Sequence, residues 1–359
     1  MSCEQPPPDQ RISRLSYRPD YILNGMISIP EPAKPSAIKG NPSSSSIGLL
    51  DILPVELLQY TLHMLDFQSL SRLSRVSLQG NEVVRSLLAY RNLMEHAPHT
   101  LAALGQTRLI SFHSANALYG TLLLEQCISC KEYGAFLFLP TCERCCYECL
   151  CSNQSLWVIP TTLARKCFDL TLSQLKRLPI MRSIPGIYFV GHRISRQRQL
   201  KLVSVKAVKE LGIMIHGSTK NMAKTLTTRR SGGITEKEYH TFRWLQDAPL
   251  QSLCQDLSRL PTEGNVPNDD CCGMASIPFL SLLQNNTLEN GLWCRGCDRA
   301  FERYRFRQLA PNVVSDLVPP GCDAFRIFLG MQRRARSNAG FLEHITHCHG
   351  AQELDSGLE

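Results

Sequence analysis

The 359-residue sequence has no run approaching the roughly 18 apolar residues that a membrane-spanning helix needs. Its start, MSCEQPPPDQR, lacks the charged and then apolar regions of a secretory signal. Both absences point to a soluble chain of the cytoplasm, the nucleus or both. Phosphate-binding glycine loops are missing as well, and the 22 glycines never form G-x-G-x-x-G. There is no HExxH, and no H-x-E followed by P-C-x-x-C, so a catalytic zinc beside a carboxylate base is not expected. His216 and His240 stand alone and read as core or surface residues rather than bases. Charge is sparse, at 19% of residues and a net +8, which permits acidic partners without demanding them. No internal repeat recurs at a fixed period.

Cysteine is what the chain has in quantity, 16 residues in all, and five of them fall in the ten residues of CERCCYECLC. In a reducing compartment thiols stay reduced, so such spacing points to metal or catalysis rather than to disulfides. With 43% hydrophobic residues there is material for a sizeable core, and the length suggests two or three domains.

Residues 1 to 47 carry PPP and then IPEPAKPSAIKGNPSSSS, a composition that reads as a disordered arm. The character changes at GLLDILPVELLQYTLHMLDFQSLSRLSRVSLQGNEVVRSLLAYRNLMEHAP, residues 48 to 97. Pro54 suits a helix start, with Leu58, Leu62 and Leu65 at helical spacing behind it. Asp66 is expected to cap a second helix carrying Leu70, Leu73 and Val76, and Asn81 a third carrying Val83, Val84, Leu87, Leu88 and Met94. Three short helices enclose little core and need a neighbour or a partner.

The run Leu53-Pro54-x-Glu56-Leu57-Leu58, followed by Leu62, Leu65, Ser69-Leu70, Leu73 and Arg75-Val76-Ser77, resembles an F-box. This is the helical motif that docks on the Skp adaptor of cullin-based ubiquitin ligases. The resemblance implies that Leu53, Pro54, Glu56, Leu57 and Leu58 form much of the adaptor-facing edge, with Leu62, Leu65, Leu70 and Leu73 completing the motif.

In the cysteine cluster, Cys142, Cys145, Cys146 and Cys149 fall at i, i+3, i+4 and i+7, which as a helix would be a core stripe of small apolar residues. The metal reading takes Cys127-x2-Cys130 with Cys146-x2-Cys149, a C-x2-C-x15-C-x2-C spacing suited to structural zinc. Cys142-x2-Cys145 is an equally good second pair, and spacing does not choose between them. GAFLFLP, between the pairs, reads as a short buried strand. A redox reading lacks the strand-helix context of a thioredoxin-like site.

Further on, Cys294-x2-Cys297 repeats the pair geometry, and His344 and Cys348 lie four apart on one expected helical face. A second site of Cys294, Cys297, His344 and Cys348 follows, with His347 or His349 able to replace either helix ligand. It would staple distant segments. In the middle of the chain, Ser204 is expected to cap a helix ended by Gly212. Thr235-x-x-Glu238 forms a capping box, and GIYFV, residues 186 to 190, reads as a strand.

The whole from CISCKEYGAFLFLPTCERCCYECL through RLPIMRSIPG and LWCRGC to FLEHITHCHG resembles F-box proteins of filamentous fungi that carry a Cys-rich region behind the box. The expected architecture is helix-rich α+β: a three-helix F-box, then a mixed body with one or two structural zinc sites. Residues 98 to 190 form its Cys-rich part, 191 to 350 a mixed part closed by the second site, and 351 to 359 a flexible tail. The implied function is that of a non-catalytic substrate receptor, bound to the Skp adaptor and cullin core and holding a protein target. A zinc-containing nucleic-acid binder is the alternative, resting on FERYRFR and on QRRAR, residues 332 to 336.

Overall fold

The computed structural model describes residues 8–32, 45–190, 192–230, 234–250 and 271–356. The chain begins with α1 (Pro8–Leu15), β1 (Ser16–Tyr17) and α2 (Asp20–Leu23). The segment read as a disordered arm is therefore ordered over residues 8–32, while 1–7 and 33–44 lie outside the described residues. Its apolar residues are few, but Leu15, Ile22, Met26 and Ile27 are all buried against remote parts of the chain. β1 pairs antiparallel with a strand at Trp293–Cys294, and the Ile27 N–H donates to the Ser276 carbonyl at 2.9 Å. Local composition cannot reveal partners so far away.

A 3-10 turn at Gly48–Ile52 leads into α3 (Val55–His63), with Pro54 as its N-cap residue. Asp66 caps α4 (Phe67–Val76) as expected, accepting from the Ser69 N–H at 2.9 Å. The expected third helix is instead two, α5 (Leu78–Ser86) and α6 (Leu88–His96), broken at the extended Leu87. Ser77 supplies the cap four residues earlier than Asn81, whose amide donates back to the Ser74 carbonyl. α7 (Pro98–Gln106) and α8 (Ala115–Leu123) follow. These helices do not close a core of their own. Leu58, Leu62, Phe67, Leu70, Val84 and Leu93 join one apolar cluster with Phe136, Leu137 and Phe138 of the body.

The body's centre is a three-stranded antiparallel sheet in which β2 (Phe136–Phe138) lies between β3 (Glu143–Cys145) and a strand at Ser276–Pro278. β2, the strand expected in GAFLFLP, is fully buried. Behind β3 comes α9 (Tyr147–Ser152). Then β4 (Val158–Pro160), α10 (Thr161–Phe168), α11 (Leu172–Leu175), β5 (Met181–Arg182), the hairpin β6 (Gly186–Val190) and β7 (His192–Arg196), and β8 (Lys201–Ser204) lead to α12 (Val205–His216), α13 (Thr219–Arg230) and α14 (Glu236–Gln246). This region builds a second core around Phe168, Val203, Val208 and Phe242. Ser204 and the Thr235–Glu238 capping box act as read from sequence. Gly212 does not end α12, however. It packs inside the helix against Met222 and Phe168, and Gly217, at φ +78°, is the terminator.

The chain returns through β9 (Ser276–Pro278), the hairpin β10 (Ser281–Leu282) and β11 (Leu288–Glu289), and β12 (Trp293–Cys294). It ends in α15 (Arg295–Arg305), α16 (Pro311–Leu317), α17 (Ala324–Arg333), α18 (Asn338–His347) and α19 (His349–Asp355). The expected flexible tail is thus helical to Asp355. Arg14 donates to the Leu354 carbonyl at 2.7 Å, and Arg303 pairs with Glu353 at 2.8 Å. The fold is helix-rich α+β with small sheets, and no helix of the described residues is long and apolar enough to cross a membrane.

One buried cation locks the central sheet. Arg144 donates to the carbonyls of Gly134, Leu280, Phe279 and Thr121 at 2.7, 2.6, 3.2 and 3.3 Å, and lies 4.7 Å over the Phe279 ring. Burial pulls its pKa down to about 10. Arg144→Met removes the donors from four carbonyls and should cost about 3 to 5 kcal/mol in urea unfolding, with Arg144→Lys recovering only part. A loss under about 1 kcal/mol would mean that water replaces the guanidinium.

Candidate metal centres and an exposed apolar edge

Two groups of four side chains are brought within 4.8 Å of one another, Cys127, Cys130, Cys146 and Cys149 in one, and Cys294, Cys297, His344 and Cys348 in the other. In the first, residues 127 to 132 form a tight turn. The Cys127 N–H donates to the Glu132 carbonyl at 2.7 Å, and Lys131 takes a left-handed φ of 65° and donates back to the Cys127 carbonyl. That turn aims both sulfurs the same way, and the Ser129 N–H donates to the Cys127 sulfur at 3.4 Å. The other half is a strand-to-helix corner. Cys146 follows β3 and caps α9, with the Cys149 N–H donating to its sulfur at 3.4 Å.

Cys142 and Cys145, the alternate pair, are excluded by the backbone. Residues 143–145 are strand, so the helical cysteine stripe does not exist, and Cys142 sits in the left-handed region at φ 52°. Adjacent strand residues face opposite ways. Cys145 therefore turns its sulfur toward the Phe136 carbonyl, 3.7 Å away, while Cys146 faces the quartet. Burial pushes both the Cys142 and the Cys145 thiols up.

The second quartet repeats the corner. Cys294 ends β12 and occupies the N-cap position of α15 without a side-chain cap bond, and Cys297 lies in that helix's first turn. His344 is in the last turn of α18. Cys348 is not on the same helix, as expected, but at the junction where α18 stops and α19 starts. The sulfur of Cys348 is 3.8 Å from those of both Cys294 and Cys297, and the His344 Nε2 is 3.2 Å from the Cys297 sulfur. In the first quartet, Cys130 and Cys146 are 3.6 Å apart. Tetrahedral zinc at about 2.3 Å from each sulfur requires sulfurs about 3.8 Å apart, so both donor sets fit such an ion. His347 and His349 are outside the quartet.

The thiols within each set are electrostatically interdependent. Hydrogen bonds from Cys130, Cys146 and Cys149 hold Cys127 far below the usual thiol range, and the bond to Cys127 pushes Cys149 up. Cys294 is held down by Cys297 and Cys348, while Cys348 is pushed up to about 11, chiefly by its bond to Cys294. Thiols give up their first protons readily and their last reluctantly unless a cation takes the protons' place. No disulfide forms among the described residues.

Sequence reasoning missed the residues around these centres. Asp298, next to Cys297, accepts from the Tyr17 hydroxyl at 3.0 Å and the Gln332 amide at 2.6 Å, so the N-terminal strand and α17 both brace the second quartet. Glu148 in α9 pairs with Arg333 in α17 at 3.5 Å, and the Arg333 carbonyl accepts from the Trp293 indole at 3.0 Å. Only the scattered Ile12, Leu15, Tyr17 and Ile22 could have signalled the first of these, and none of them names its partner.

No protein-family model, no curated protein and no solved structure matches the chain.

The predicted adaptor edge divides in two. Leu58, Leu62 and Leu70 are buried in the main core, and Leu65 and Leu73 are half-buried. Leu53, Pro54, Glu56 and Leu57 face solvent. Ile52, Leu57 and Met64 are 78%, 55% and 67% exposed, and Leu49, Val55 and Tyr60 are also exposed. These side chains lie on one 3-10 turn, on α3 and at the end of that helix.

Proposed function

We propose that the chain is the substrate-receptor subunit of a Skp–cullin ubiquitin ligase of the cytoplasm or nucleus. In this reading the outer face of α3 grips the Skp adaptor, and two structural zinc ions hold the body that receives a protein target. The observation that carries the reading is the exposed row Ile52, Leu53, Leu57 and Met64, on the residues whose order resembles an F-box. A set of four thiolates and a set of three thiolates with one imidazole both suit zinc, and four protein ligands leave no open position for chemistry. The receptor would therefore be non-catalytic. Against nucleic-acid binding, Arg303, Arg333 and Arg334 are already paired with Glu353, Glu148 and Glu132.

The test is a pull-down with the purified Skp adaptor. Because Leu57 is exposed, Leu57→Asp should leave the melting curve unchanged. It should weaken adaptor binding roughly tenfold to a hundredfold, the loss of about 1.5 to 3 kcal/mol of apolar burial. Pro54→Ala should weaken it in the same direction. A wild-type chain that ignores the adaptor defeats the proposal.

A further inference from the structure

At the end of α15 a guanidinium and three rings form a continuous row. The Phe325 ring lies 5.6 Å from that of Phe301, and the Arg305 guanidinium lies 5.9 Å from Phe301 and 5.8 Å from Phe306. Phe301, the middle ring, is buried, Phe306 is 65% exposed, and Phe325 is exposed at the other end. Arg303 and Arg326 beside the row are paired with Glu353 and Asp323. Arg305 and Arg307 are exposed and have no carboxylate partner among the described residues. Arg307 also stands at φ 57°, a left-handed helix end where glycine would be the relaxed choice. A helix C-terminus favours cations, which accounts for the two basic residues. It does not account for two phenyl rings left in water beside them.

We propose that this row is a docking surface for a short acidic peptide with an aromatic or aliphatic anchor. The rings would take the anchor, and the two free guanidiniums would take flanking carboxylates in forked hydrogen bonds. Charge complementarity favours a peptide over nucleic acid. Affinity for a phosphate backbone grows with the number of cations that contact it, and the row offers two. As the place where a ligase target is held, the surface rests on the receptor reading; the binding itself does not.

The experiment pans a phage-displayed random peptide library on the full, metal-loaded chain, then titrates the enriched peptides by fluorescence anisotropy beside a single-stranded oligothymidine. The expected result is enrichment of Asp and Glu around Phe, Trp or Leu. Affinity should fall at least roughly tenfold in the double variant Arg305→Gln with Arg307→Gln, and again in Phe306→Ser. Metal content and circular dichroism of these surface variants should match wild type. Peptides without acidic enrichment, undiminished binding by the double variant, or oligothymidine competing at this same surface would overturn the proposal. Adaptor pull-down is scored separately, so peptide binding without adaptor binding would sink the receptor reading alone.

Discussion

Chelation should unfold most of the chain's described body, an effect larger than that of any single substitution proposed above. A structural zinc site contributes on the order of 10 kcal/mol at neutral pH, while a whole domain is stable by about 5 to 15 kcal/mol, so losing two such sites exceeds the reserve. The first quartet ties the 127–132 turn to the β3–α9 corner. The second ties α15 to the α18–α19 junction, with α1 and β1 leaning on the same cluster. Elemental analysis of the purified chain should find about two zinc equivalents, one for each quartet. Cys130→Ser and Cys297→Ser should each leave one. Cys142→Ala and Cys145→Ala should leave both, because neither sulfur reaches a quartet. A chain that keeps its cooperative melt after dialysis against a strong chelator would show that packing alone holds the two corners.

The candidate ligand pairs were legible in sequence because C-x2-C is a local device, closed by a turn of a few residues. Choosing Cys146 and Cys149 over Cys142 and Cys145 was not, since helical spacing and strand alternation give opposite answers for the same letters. The choice depends on β3 pairing with β2, Phe136 opposite Cys145, and that pairing is tertiary. The same holds for the N-terminus. Tyr17 meets Asp298, 281 residues away, and no window of local composition reports such a contact. Helix starts marked by Asp66, Ser204 and Thr235 were readable, since a cap bonds to its own next turn. Helix ends were less so. Gly212 and Gly217 are alike as letters, and only the packing of Gly212 beneath Met222 says which one the helix runs through.

The closest backbone approach at the second centre supplies the other large effect. A Cβ placed on Gly296 would lie 2.2 Å from the Ala351 nitrogen and 2.5 Å from the Gly350 carbonyl carbon, and one on Gly350 would lie 2.3 Å from the Gly296 carbonyl oxygen. Those neighbours are backbone, so no rotamer change can make room. Gly296 sits between two of the quartet's cysteines and Gly350 two residues past a third, so the close approach of α15 and α19 lies at the quartet. Gly296→Ala must therefore part the helices by roughly 1 Å to restore ordinary contact. Metal sites tolerate only about 0.2 Å at each ligand. The variant should lose one of two zinc equivalents and at least about 3 kcal/mol of stability, the upper range for overpacking. The first quartet should keep its metal. Gly330→Ala is the control, because α17 there has open space around it, and removing a glycine from a helix interior should stabilise by about 0.5 to 1 kcal/mol. If Gly296→Ala retains both metals and the wild-type melting temperature, α15 and α19 do not meet as described, and Cys348 loses its place in the quartet.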